Sequence, residues 1–331
     1  MSSEHFRAFV LDTTEAGLSR GIQTLSRQDL PDGDVLVAID YSGLNYKDGL
    51  AITGTGKIVL TWPMVPGIDF VGRVVESSSD RFKNGDSVIC TGWAVGEKYW
   101  GGYSQFQRVK SDWLVPLPSS LTARDAMLLG TAGLTAMLCV SALEDGGVLP
   151  EQGPVIVTGA AGGVGSIAIS LLAQRGYSVT AVTGRLEEEA YLRSLGATDI
   201  ISRDEMSEPA RPLEKQRWAG GIDTVGGNIL ARILAEAQYG ATLAACGLAA
   251  SHTLPTTVMP FILRNVRLQG IDSVNCPTPT RIAAWTALAS NLPSNLEQTL
   301  HKTIGLEELE LSAHAIINGV VRGRILVNPN L

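Results

Sequence analysis

The stretch Pro154-Val155-Ile156-Val157-Thr158-Gly159-Ala160-Ala161-Gly162-Gly163-Val164-Gly165 decides the fold. A short run of continuously apolar residues leads into a glycine-rich bend, and from Val164 to Gly176 the spacing turns helical. Glycines at such a bend let a pyrophosphate approach the backbone and rest on the positive end of the helix. Against the G-x-G-x-x-G fingerprint the aligned residues are Ala160, Gly162 and Gly165, with alanine in place of the first glycine. A tight strand-to-helix turn that binds nothing has the same local pattern, so the flanking sequence must arbitrate.

Working outward, Ser178–Thr183, Asp199–Ser202, Gly221–Val225 and Ala241–Cys246 read as strands, with helices over Glu187–Gly196 and Asn228–Gln238. Repeated strand-helix-strand units with apolar strands predict an α/β domain with a doubly wound parallel sheet covered on both faces. Asp204–Pro212 reads as a surface loop. Upstream, Phe6–Leu11, Asp34–Tyr41, Asp69–Glu76 and Asp86–Thr91 alternate as strands do, and helical spacing starts at Gly133 and ends at Gly146-Gly147. Downstream, Val266–Val274, Thr280–Ala289 and Gly323–Val327 are candidates to return to the first domain.

Composition agrees with a two-domain chain: 331 residues at ~150 per domain. A net charge of −7 without blocks of like charge argues against nucleic acid as a partner. The first residues hold no apolar signal-like run, and no apolar run comes near the ~18 residues of a membrane span. The expectation is therefore a soluble cytoplasmic protein. Cys90, Cys139, Cys246 and Cys276 form no CxxC pair, and His5, His252, His301 and His314 are widely spaced, so neither a disulfide framework nor a metal site is expected.

The second strand of the nucleotide domain ends Thr183-Gly184-Arg185. An NAD enzyme needs an acid there for the ribose hydroxyls, whereas a guanidinium suits the 2′-phosphate of NADP. Arg185 either binds that phosphate or faces solvent while Glu187–Glu189 favour the following helix start.

Several motifs carry a family resemblance: Asn45-Tyr46-Lys47-Asp48, the run Pro66–Gly72, Trp100-Gly101-Gly102-Tyr103, and Gly159–Gly165. Together they resemble the medium-chain dehydrogenase/reductase superfamily over essentially the whole chain. Leu44–Asp48, Thr91-Gly92-Trp93, Leu128–Val140, Ile222–Gly226 and Thr253–Asn265 are similar to its zinc-free quinone oxidoreductase branch, within it to the bacterial acrylyl-CoA reductase subgroup. The resemblance implies a GroES-like β-rich catalytic domain from residues 1–125 and 266–331, and a Rossmann NADPH-binding domain over 126–265. It also implies NADPH-dependent reduction of an activated C=C bond, acrylyl-CoA to propanoyl-CoA, by a homodimer. Quinone reduction and non-catalytic NADPH binding are the alternatives.

Zinc alcohol dehydrogenases carry cysteine near the position of Asn45 and Gly-His-Glu at Gly67-Ile68-Asp69; asparagine and isoleucine supply neither thiolate nor imidazole. Chemistry without a metal suits a conjugated acceptor, whose developing enolate needs hydrogen-bond donors and one proton. The resemblance places Tyr46 and Asn45 beside the nicotinamide as catalytic candidates, Tyr46 as a phenolic acid or as a positioning group. Asp48 and Asp69 orient neighbours or cap turns. The implied cofactor contacts are Tyr46, Ala161, Gly162, Gly163, Val164, Thr183, Gly184 and Arg185, joined by Arg203, Leu248, Ile262 and Ser273.

Overall fold

Apolar residues recurring at every second position in the first third of the chain make strands with one buried face. The computed structural model describes residues 5–15 and 17–331. In chain order come β1 (His5–Thr14), β2 (Gly17–Ser26), β3 (Val35–Leu44), α1 (Tyr46–Thr53), β4 (Asp69–Ser77), β5 (Ser87–Thr91), β6 (Phe106–Val109), β7 (Leu114–Pro116) and α2 (Ala123–Asp145). The alternating region follows with β8 (Val155–Val157), α3 (Gly163–Gln174), β9 (Val179–Thr183), α4 (Glu189–Ser194), β10 (Asp199–Ser202), α5 (Arg203–Ser207), β11 (Trp218–Asp223), α6 (Gly227–Glu236), β12 (Ala237–Ala245), α7 (Met259–Arg264) and β13 (Arg267–Gly270). Last are α8 (Thr278–Ser290), β14 (Leu300–Ile304), α9 (Leu309–Ile317) and β15 (Arg324–Val327).

These elements divide into two units. The unit expected to bind nucleotide, called the nucleotide unit, is Ala132–Asp272 with Asn291–Thr299; the unit expected to be catalytic, called the catalytic unit, is the described residues up to Thr131 with Ser273–Ser290 and Leu300–Leu331.

In the nucleotide unit six strands form one all-parallel sheet in the order β10-β9-β8-β11-β12-β13. This is the doubly wound order of dinucleotide-binding domains, and the strand sequence reverses between β8 and β11. The glycine bend leaves β8 at that switch. Val155, Ile156 and Val157 are buried, which is why this strand reads as a continuous apolar run rather than an alternating one. Ile156 belongs to a core with Val182, Trp218, Ile233, Leu234 and Leu243.

In the catalytic unit the larger sheet runs β14-β15-β3-β4-β5-β7, with β6 also on β3, and β1 pairs antiparallel with β2. β15 returns antiparallel to β3, setting Ile325 opposite Leu44 and Val327 opposite Ser42. Its core therefore mixes both ends of the chain: Phe6, Leu11, Leu36 and Ile52 pack with Ile304, Leu309 and Ile325.

Four expectations change. Residues 266–272 stay with the nucleotide unit because β13 extends its sheet, pairing Leu268 with Leu243 of β12, residues 291–299 also join that unit, and 126–131 group with the catalytic unit instead. The segment expected as a loop from Asp204 starts with the short helix α5, where Ser202 Oγ accepts from the Asp204 amide and Met206 is buried. α2 starts at Ala123 rather than Gly133, and Gly130 breaks it at φ 50°, ψ −151°. By length and composition α2 is apolar enough to cross a bilayer, but 78% of its most apolar window is buried inside the protein, as in a core helix.

Candidate active site

In the nucleotide unit the bend is built to bring helix and strand close. Gly159 takes φ 56°, so the tight turn falls one residue before the alanine that replaces the first fingerprint glycine. A Cβ on Gly165 would lie 2.4 Å from the Gly159 carbonyl oxygen, so only glycine lets α3 start this close to the bend. Gly162 caps α3 without any side-chain hydrogen bond, which leaves the first amides of α3, from Gly163 and Val164 onward, to an anion.

The bend is pinned from the neighbouring strand. Thr158 Oγ1 donates to Asp223 Oδ1 at 2.7 Å and accepts from the Thr224 amide at 3.0 Å, while Asp223 Oδ2 accepts from the Gly226 amide at 2.7 Å. Burial raises the Asp223 pKa, and these donors oppose that shift. Thr158 and the run Ile222–Gly226 were both quoted from the sequence, but their pinning role was not readable there, because it acts through contacts between β8 and β11.

The structure brings the expected phosphate-reading residues together. Thr183 Oγ1 accepts from the Arg185 amide at 3.0 Å, and the Arg185 guanidinium reaches back to within 3.5 Å of the Ala161 carbonyl. Arg203, from the start of α5, lies against the same tip: a Cβ on Gly184 would sit 2.6 Å from Arg203 Cζ. Two guanidinium groups thus flank Gly184 next to the bend. This donor set fits NADPH, with Arg185 and Arg203 for a 2′-phosphate and the bend for the pyrophosphate. Leu248 and Ile262 are 65% and 72% exposed, so neither is a core residue.

In the catalytic unit the start of α1 separates its residues by direction. Tyr46 is 42% exposed, and Lys47 is ion-paired with Glu97 at 2.8 Å. Asp48 points inward and is fully buried: Oδ2 accepts from the Asn45 amide at 3.0 Å, and Oδ1 accepts from the Gly67 and Ile68 amides at 3.1 and 3.0 Å. It therefore caps α1 and holds the turn before β4 at once. Burial, and then the charge of Asp69, push its pKa up to about 7. Tyr103, also buried, donates its hydroxyl to the Gly43 carbonyl at 3.0 Å. Ser273 offers its carbonyl to Arg281 Nη2 at 3.1 Å, ahead of α8.

Asn45, the second catalytic candidate, faces inward. Its Nδ2 donates to Asp69 Oδ2 at 3.0 Å and its Oδ1 accepts from Arg324 Nη1 at 2.8 Å, so both polar atoms are spent inside the protein. Arg324 escaped sequence reasoning; the available signal was a lone cation opening the apolar run Arg324-Ile325-Leu326-Val327.

The same cluster tests for zinc. Asp69 Oδ1 accepts from the Gly43 amide at 2.9 Å and Oδ2 from Asn45 and from the Thr131 amide at 2.8 Å, with a guanidinium alongside. A carboxylate so occupied, next to an asparagine and an isoleucine, does not make a zinc ligand set. Among the described residues no three His, Cys, Asp or Glu side chains gather as metal ligands.

Residues 31–119 match the family described as alcohol dehydrogenase GroES-like domain, and residues 163–290 match the family described as zinc-binding dehydrogenase. The chain is 54% identical to "Probable acrylyl-CoA reductase AcuI" of Escherichia coli, over 98% of this chain and 100% of that protein. It is 52% identical to "Acrylyl-CoA reductase AcuI" of Ruegeria pomeroyi, covering 98% and 99%. The yhdH oxidoreductase of Salmonella enterica, solved in complex with NADP, superposes with a TM-score of 0.95 at 54% identity, covering 97% of this chain and 99% of that one.

Proposed function

Because the chain belongs to the medium-chain dehydrogenase/reductase family, in its quinone oxidoreductase-like branch, we propose that it is a zinc-independent, NADPH-dependent reductase converting acrylyl-CoA to propanoyl-CoA. The observation that carries the cofactor is the pair Arg185 and Arg203 at a strand tip without an acid, beside an uncapped helix start; the likeness to acrylyl-CoA reductases at 54% and 52% identity supports the substrate. NADPH, when bound, supplies the hydride. Arg185, Arg203 and Thr183 hold its 2′-phosphate, and the backbone of Ala161, Gly162, Gly163 and Val164 takes the pyrophosphate. Leu248 and Ile262 offer exposed apolar surface, and Ser273 completes the set of cofactor contacts.

Tyr46 is the group that touches substrate. Its phenol, exposed at the start of α1, donates to the thioester oxygen as hydride adds to the β-carbon and charge develops on that oxygen; its proton then passes to the α-carbon, and solvent reprotonates the phenolate. Tyr46→Phe should lower kcat about 10²-fold with folding intact. An unchanged kcat removes the hydroxyl from the reaction.

NADPH oxidation measured with acrylyl-CoA, crotonyl-CoA, a quinone and a buffer blank tests the whole reading. Turnover of acrylyl-CoA to propanoyl-CoA is expected. Turnover of the quinone alone overturns the thioester substrate, and NADPH uptake with no turnover of any acceptor overturns the enzyme.

A cytoplasmic homodimer completes the proposal. β13 ends its sheet with an edge on which a second copy could add its own. Light scattering should give about twice the 35.1 kDa of the chain, and a monomer at assay concentration overturns this part.

A further inference from the structure

The catalytic unit buries an ion pair beside the residue proposed to touch substrate. Arg324 is 2% exposed and Asp69 fully buried, their nearest charged atoms 4.0 Å apart. Besides Asn45, the guanidinium donates through Nε to the Leu128 carbonyl at 3.1 Å and through Nη2 to the Met127 carbonyl at 3.3 Å. These carbonyls lie in the last turn of α2 before its break at Gly130, and the Thr131 amide after the break donates to Asp69. The cation thus meets the negative end of the helical segment before the break, and the carboxylate takes the amide just after it.

Two glycines leave the pair the space it occupies. A Cβ on Gly130 would lie 2.7 Å from Arg324 Nη2 and 2.8 Å from Asp69 Oδ2; one on Gly43 would lie 2.5 and 2.9 Å from the same two side chains. Burying two charges is a poor way to add stability, since well-packed apolar residues commonly do as well or better. What the pair does achieve is direction. Among the described residues only the Asn45 carboxamide bridges the two charges, oxygen to the cation and nitrogen to the anion, and this fixes which way it faces. The Asn45 carbonyl accepts the Gly49 amide at 3.1 Å in the first turn of α1, and Tyr46 is the next residue.

We propose that Arg324 and Asp69 are positioning residues for the reduction: through Asn45 they set the start of α1 and so aim the Tyr46 phenol. This rests on the role given to Tyr46 above.

A double-mutant cycle in the full-length protein tests it. Asn45→Ala should lower kcat for acrylyl-CoA at least tenfold while the Kd for NADPH, read by cofactor fluorescence, stays within twofold. In a Tyr46→Phe background the same substitution should cost less than twofold. Amide exchange over residues 46–53 in the cofactor-free protein should quicken in Asn45→Ala. Arg324→Lys, which keeps the charge without the fork, should give the same split between kcat and Kd. If Asn45→Ala does not fold, Asn45→Ser carries the cycle. Equal losses with and without the Tyr46 hydroxyl, or no loss, overturn the positioning role. A wild-type chain inactive on acrylyl-CoA instead overturns the substrate, and the cycle is then read on the quinone; a wild-type chain inactive on both leaves no reaction to position and overturns the proposal with it.

Discussion

Arg185 and Arg203 stand at the ends of neighbouring strands, and Gly184 is the residue that lets the second reach the first. Charge-assisted contacts to a phosphate are worth more than neutral ones. Arg185→Ala should therefore raise KM for NADPH about tenfold or more and leave KM for NADH within twofold. Equal KM changes for both coenzymes would remove the phosphate contact.

Asp48 makes a prediction of a different kind. Its pKa rises from 3.8 to about 7 on folding, so between those values the folded chain holds a proton that the unfolded chain has lost. Stabilisation present at acid pH is then lost as pH rises through about 7. The groups facing it are Asp69, Tyr103 and Arg324, of which Asp69 reinforces the shift. In thermal melts, the decline in Tm between pH 5 and pH 8 should be shallower in Asp48→Asn than in wild type, whatever the absolute Tm of the variant. Parallel slopes would place the titration elsewhere.

Among elements, α3 depends on its first turn. Gly165→Ala forces a Cβ against backbone at Gly159 and Ala160, and overpacking of this kind costs about 1–3 kcal/mol. At Gly162 the nearest atom to an added Cβ is 3.1 Å away, so Gly162→Ala should be milder on stability. Chemical denaturation of the two variants should separate them in that order. α1 shows the complementary case: its residues alternate between an exposed Tyr46 and a buried Asp48, and the helix is held from below by groups distant in the chain.

For the whole molecule, a ligand that binds only the folded nucleotide unit stabilises it by mass action. NADPH at about 100 times its Kd should add about 2.7 kcal/mol, and NADH at the same concentration much less. Differential scanning calorimetry that finds equal shifts for both coenzymes would contradict the preference argued from the β9 tip.

The nucleotide unit was legible in the sequence because its information is local. Strand, bend and helix follow one another within Pro154–Gly176, and a fully buried parallel strand shows itself as unbroken apolar residues. Thr183-Gly184-Arg185 could likewise be read directly, since the base and the missing acid lie within three residues. The catalytic unit was read more by likeness than by pattern. Which way Asn45, Tyr46 and Asp48 point, and that Arg324 meets Asn45 across 279 positions of chain, were decided only by the tertiary fold. A side chain's direction depends on what packs beneath it, and β15 brings that partner to β3 from the far end of the chain.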